Sequence, residues 1–162
     1  MKKADEGTDI MRKIARHVRE GALAYLCQQY KIVAAVFAAL FLFFAFLAYG
    51  LGVQNGWVPF AFITGGFFSG LAGFFGMKTA TYASSRAAFA AKKSLDSGLQ
   101  VAFRSGAVMG LVVVGLALLD ISIWFFVLNI FIEGANKMVV ITTTMLTFGM
   151  GASLQALFAR VG

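Results

Sequence analysis

A chain of 162 residues that is 60% hydrophobic and 13% charged cannot build a water-soluble surface. Soluble domains carry about 25% charged residues, and a chain this small exposes too large a share of itself to hide the rest. The net charge of +7 gathers beside apolar tracts instead of forming a basic face with aromatic platforms, which excludes nucleic-acid binding, and the single cysteine, Cys27, excludes an intrachain disulfide.

Residues 1–31 hold seven basic and four acidic groups and form the first region, a segment read as lying on the cytoplasmic face. Within it, Ile10, Ile14, Val18 and Ala22 fall at helical spacing, while Arg12, Lys13, Arg16, Arg19 and Glu20 cover much of the rest. That pattern predicts an amphipathic interfacial helix over 9–30, capped by Thr8 with Asp9 in its first turn. Residues 32–162 form the second region. Ile32 to Met77 is a 46-residue run without a charge, too long for one membrane crossing and suited to two.

The first span is predicted over about 32–51, rich in Phe and Leu and facing lipid around most of its circumference. Gly50, Gly52, Asn55 and Gly56 break it, Trp57 stands at an interface position, and Pro59 fits the first turn of the next helix. The second span is predicted over about 58–95, including an extension beyond the bilayer. Ala72, Gly76, Ala80, Ser84 and Ala88 recur every four residues and predict a packing stripe. Residues 78–104 carry five basic groups and one acidic group.

The third span is predicted over about 99–129. Asp120 lies 16 positions beyond Arg104, roughly 24 Å along a helix, and is read as a hydrogen-bonded or snorkelling carboxylate at the far interface, with ion passage as the alternative. The fourth span is predicted over about 138–160. Thr142, Thr143, Thr144, Thr147, Ser153 and Gln155 make it polar for a helix in lipid, which predicts a place inside a bundle or beside a wet cavity. The fold class is therefore all-α, a polytopic transmembrane bundle of four spans behind an amphipathic helix. Alternating directions place the basic tail, the 78–104 segment and Arg160 on one face, the cytoplasmic one by its positive charge.

No self-sufficient catalytic set is visible. His17 is the only histidine, and there is no HExxH, CxxC, Walker or Rossmann pattern. Holding Mg²⁺ for phosphate chemistry would take several grouped acids, which the chain does not supply. Arg160, a fixed positive charge ending a polar, glycine-lined helix, is the candidate for pairing with an acid, repelling cations or attracting an anion, with a simple interfacial anchor as the alternative.

Four stretches carry a resemblance to a known family: EGTDIMRKIARHVREGALAYLCQQYK at 6–31, FFSGLAGFFGMKTAT at 67–81, VAFRSGAVMGL at 101–111, and ALF followed by ARVG at 156–162. The chain resembles the membrane-embedded inorganic pyrophosphatases, which couple pyrophosphate hydrolysis to H⁺ or Na⁺ pumping. The resemblance implies a homodimer of subunits with about sixteen transmembrane helices in two concentric rings, of which this chain corresponds to the second through fifth. It implies an ion-coupling role for Arg160, with Ser153 and Gln155 as weaker candidates for lining the path. It also implies a magnesium pyrophosphate site in segments that follow residue 162 in family members. The 162 residues are accordingly expected to be part of an ion-translocating diphosphatase, with no hydrolysis of their own. A structural packing module and a small independent transporter or channel are the competing readings.

Overall fold

The computed structural model describes residues 5–134 and 136–161, with side chains through residue 159. Four long helices hold most of the described residues: α1 (Asp9–Ala45), α2 (Val58–Lys93), α3 (Leu95–Phe131) and α4 (Lys137–Val161). Each is long and apolar enough to cross a membrane, and no strand occurs among the described residues.

The first intrahelical bond of α1 runs from the Arg12 amide to the Thr8 carbonyl, so Thr8 occupies the position expected to precede the helix. The helix does not stop at Lys31. Charge ends there, but from Asp9 to Ala45 the chain has no proline and one glycine, so nothing interrupts the hydrogen-bond ladder. A π-helical turn, Phe46–Gly50, follows. The Leu51 amide donates to Phe46 O, the Val53 amide to Leu47 O, and Gly52 takes φ +64°, a left-handed conformation that reverses the chain at little cost for glycine. Tyr49 Oη donates to Gly56 O and closes the turn into α2.

The connection from α2 to α3 is the single residue Ser94. Its Oγ accepts from the Ser97 amide, an N-cap bond for α3, and Ser97 Oγ reaches back to Ala90 O at 2.6 Å. A Cβ on Gly98 would lie 2.8 Å from Ala91 Cβ, so a side chain there would force the hairpin open. Lys92 and Lys93 in the last turn of α2, and Asp96 in the first turn of α3, complement the helix dipoles. The basic 78–104 segment is thus a helical hairpin. Between α3 and α4, Gly134 takes φ +114°, and Lys137 Nζ donates to Asn129 O near the end of α3.

The chain packs as two compact units, one comprising the chain up to Gln28 with Ala72–Val113, the other Gln29–Leu71 with everything from Val114 onward. The first unit is organised around a carboxylate. Glu6 Oε1 accepts from Arg19 Nη2 at 2.7 Å and Arg86 Nη2 at 2.8 Å, and the Arg19 guanidinium lies 4.1 Å over the Tyr82 ring. Arg19 is the main reason the Glu6 carboxyl sits below its ordinary pKa, with the charges of Arg86 and Arg12 adding to it. Gly76 lets Met109 approach the α2 backbone. The four-residue stripe holds only at its start: Ala72 and Gly76 are buried, whereas Ala80, Ser84 and Ala88 are exposed, and Ala83 and Arg86 are buried in their place. Four residues advance a helix by about 40° more than one turn, so over four steps the stripe drifts roughly 160° off its starting face.

The second unit is organised by packing. Ala61, Trp124, Leu128 and Ile141 form its core, with Trp57, Ile132, Met145 and Phe148 packed against them. Phe37 stacks on Phe62 at 4.9 Å between centroids, and Phe44 meets Phe62 at 5.1 Å. Two glycines bring α2 and α4 into backbone contact reciprocally: Gly65 faces the Phe148 carbonyl and Gly151 faces the Phe62 carbonyl. Neither position has room for a Cβ.

Candidate functional site

The residues singled out on α4 do not share one surface. Ser153 and Gln155 are two positions apart, about 200° around a helix, and Ser153 is exposed while Gln155 is buried. Arg160 stands on the last turn of α4, and its side chain lies outside the described residues.

What surrounds Gln155 is a polar belt within the second unit. Ser69 Oγ on α2 donates to Ala152 O at 3.1 Å, and Gln155 Nε2 lies 3.4 Å from where a Cβ on Gly70 would sit. Tyr30 Oη on α1 donates to Gly70 O at 2.6 Å, and Gln29 Nε2 donates to Phe158 O, two residues before Arg160. The belt therefore ties α1 to the carbonyls of both α2 and α4. Gln29 Oε1 is buried without a hydrogen-bond partner and remains an acceptor for a donor brought into the site. Gln29, Tyr30 and Ser69 were not apparent as site residues from sequence. Two of them, Gln29 and Tyr30, lie in the string QQYK, but nothing in one helix reveals that the Gln29 amide reaches a carbonyl 129 positions later.

The threonines of α4 need no wet cavity. Thr142, Thr143, Thr144 and Thr147 each donate to the carbonyl four residues earlier, so the helix satisfies its own hydroxyls. Asp120 corrects the sequence reading. It does not snorkel: it is 1% exposed, and its Oδ2 has no hydrogen-bond partner. It stands four and eight residues before Trp124 and Leu128, on the α3 face that the core covers. Among the described residues no three His, Cys, Asp or Glu side chains converge, so these residues do not fit a Mg²⁺ site, which calls for several oxygen ligands.

Long apolar helices packed through glycine–carbonyl contacts define a multi-pass integral membrane protein whose helices are solvated by lipid. All of the chain, residues 1–162, matches the family described as Inorganic H⁺ pyrophosphatase, and the chain belongs to that family. It is 66% identical, over its whole length, to a protein of Bacteroides thetaiotaomicron whose name provisionally describes a K(+)-stimulated pyrophosphate-energized sodium pump. It is 40% identical over 98% of its length to K(+)-insensitive pyrophosphate-energized proton pump 2 of Moorella thermoacetica, and 38% identical over 99% to a K(+)-insensitive pyrophosphate-energized proton pump of Methanosarcina mazei. The chain spans 23%, 22% and 22% of the lengths of these curated relatives.

Proposed function

We propose that this chain is a membrane segment of a pump that couples pyrophosphate hydrolysis to H⁺ or Na⁺ translocation, and that Arg160 is its coupling charge. The observation that carries this reading is family membership across the whole chain, joined to the belt that anchors the end of α4. A guanidinium does not lose its proton, so Arg160 acts as a fixed positive charge in a low-dielectric setting. Paired with an acid elsewhere in the pump, it lowers that acid's affinity for a cation whenever the two are close. Motion of α4 against its neighbours then alternates the acid between holding and releasing its ion. Gln155 and Ser153 stand about one and two turns before Arg160 on different faces, with Gln155 buried beside Gly70 and Ser153 offering a hydroxyl to the path.

Hydrolysis of magnesium pyrophosphate falls to groups outside these 162 residues, since the described acids do not converge. The pump works as a homodimer, with the basic tail and the 78–104 hairpin on the cytoplasmic face, as their positive charge favours.

The test is the complete pump in liposomes, with phosphate release and cation uptake measured together for the wild type and Arg160→Ala. Separate Na⁺ and pH-gradient readouts identify the ion. Arg160→Ala is expected to abolish uptake while part of the hydrolysis persists. Unchanged uptake and hydrolysis would leave Arg160 an interfacial anchor. The 162-residue chain alone is expected to release no phosphate.

A further inference from the structure

Asp120 is the one acid inside the apolar part of α3, and the second unit closes over it. Asp120, Trp124 and Leu128, one turn apart, are 1%, 8% and 0% exposed. The Trp124 indole donates to Thr64 Oγ1 at 2.7 Å and so is committed elsewhere, and Asp120 Oδ2 receives no hydrogen bond.

The titratable and charged groups that the elements of this unit supply do not answer it. From α1 and the π-helical turn after it come Tyr30, Lys31 and Tyr49: Tyr30 donates to Gly70 O, Tyr49 to Gly56 O, and Lys31 is exposed. From α2, through Leu71, comes none. From α3 and the following turn come only Asp120 itself and Glu133, which is exposed. From α4 come Lys137, whose Nζ binds Asn129 O about 14 Å further along α3, and Arg160, 40 positions beyond Asp120, whose side chain lies outside the described residues.

A bare carboxylate in such a place is strongly disfavoured, because burial removes its water and nothing replaces it. A side chain from another protein has no approach to a group that this chain already covers. A small ion does. One carboxylate matches one positive charge, whereas Mg²⁺ or Ca²⁺ calls for about six oxygen ligands, several of them anionic.

We propose that Asp120 is a binding site for a small monovalent cation, a proton or an alkali ion, inside the second unit. The assignment does not depend on the role of Arg160. Infrared difference spectra of the liposome-reconstituted protein, wild type minus Asp120→Asn, isolate the Asp120 carboxyl signal, and Asp120→Glu, which retains the acid, identifies the same band by its shift if the Asn variant does not fold. For a proton site, the carbonyl band of the acid is lost as pH rises and Na⁺ or K⁺ has no effect. For an alkali site, the acid band is replaced by carboxylate bands on adding Na⁺ or K⁺ at fixed pH. A signal, acid or carboxylate, that neither pH nor alkali ion moves while the protein stays folded would overturn the proposal.

Discussion

The two packing units solve opposite problems with opposite means. In the first, charge is matched: Glu6 lies between Arg19 and Arg86, and the guanidiniums also meet the Tyr82 ring. In the second, shape is matched: Gly65 and Gly151 admit carbonyls of the facing helix, and aromatic rings fill the rest. Among the described side chains of the shape-matched unit one charge is buried, Asp120, and its Oδ2 has no partner of the kind that Glu6 has in the charge-matched one. An acid with a ready-made cation is a structural element. An acid without one is a place where a mobile cation belongs.

The comparison breaks most sharply at the glycines. Gly151→Ala puts a methyl group against the Phe62 carbonyl, and backbone cannot step aside as a side chain can. The expected loss is about 3 kcal/mol, the upper part of the range for overpacking. Gly149→Ala, two residues away with nothing within 4 Å, is expected to be neutral or to stabilise by about 0.5–1 kcal/mol through helix propensity. Thermal unfolding of the two variants in detergent checks the pair, and equal effects would mean that the glycines act through propensity alone.

A middle-sized effect is expected at Glu6→Gln, which leaves two arginines sharing a neutral amide. The loss should be about 1.5–2 kcal/mol, as for a hydrogen bond to a charged group. It is read from proteolysis of the segment before α1. The Glu6 pKa is lowered on folding, so its contribution is complete above the ordinary glutamate range and disappears as acid protonates the folded carboxyl. The wild type should therefore become as protease-sensitive as the variant at low pH, and the variant should show no such step from this site.

The smallest effect is expected within the shape-matched unit, at Trp124→Phe. The ring volume is largely kept and the bond to Thr64 Oγ1 is lost, while Thr64 still donates to Ala61 O. A loss of about 1 kcal/mol in thermal unfolding sharpens the contrast. A loss as large as that of Gly151→Ala would mean that the second unit also depends on its polar contacts.

The residues themselves announced much of this. The uncharged run from Ile32 to Met77 dictated two crossings, and Gly52 and Pro59 marked where helices end or begin, because such signals are local to the backbone. A four-residue period is not a helical face: Ala80, Ser84 and Ala88 continue the stripe in the sequence, but helical twist carries them off the buried side. The α4 threonines suggested a place inside a bundle or beside a wet cavity; Thr144 and Thr147 are buried in the packing, and the acceptors of their hydroxyls lie in the same helix.

By itself the sequence determined the solvent, the all-α class, the number of crossings and the family, since each depends on composition, hydrogen-bond geometry within one helix, or the order of residues. The tertiary structure alone decided that Gln29 grips the carbonyl of Phe158, that a side chain at Gly65 or Gly151 would meet facing backbone while one at Gly149 would meet nothing, and that Asp120 is enclosed instead of reaching water. Those outcomes rest on which helix face meets which neighbour, a relation between residues far apart in the chain that no local periodicity encodes.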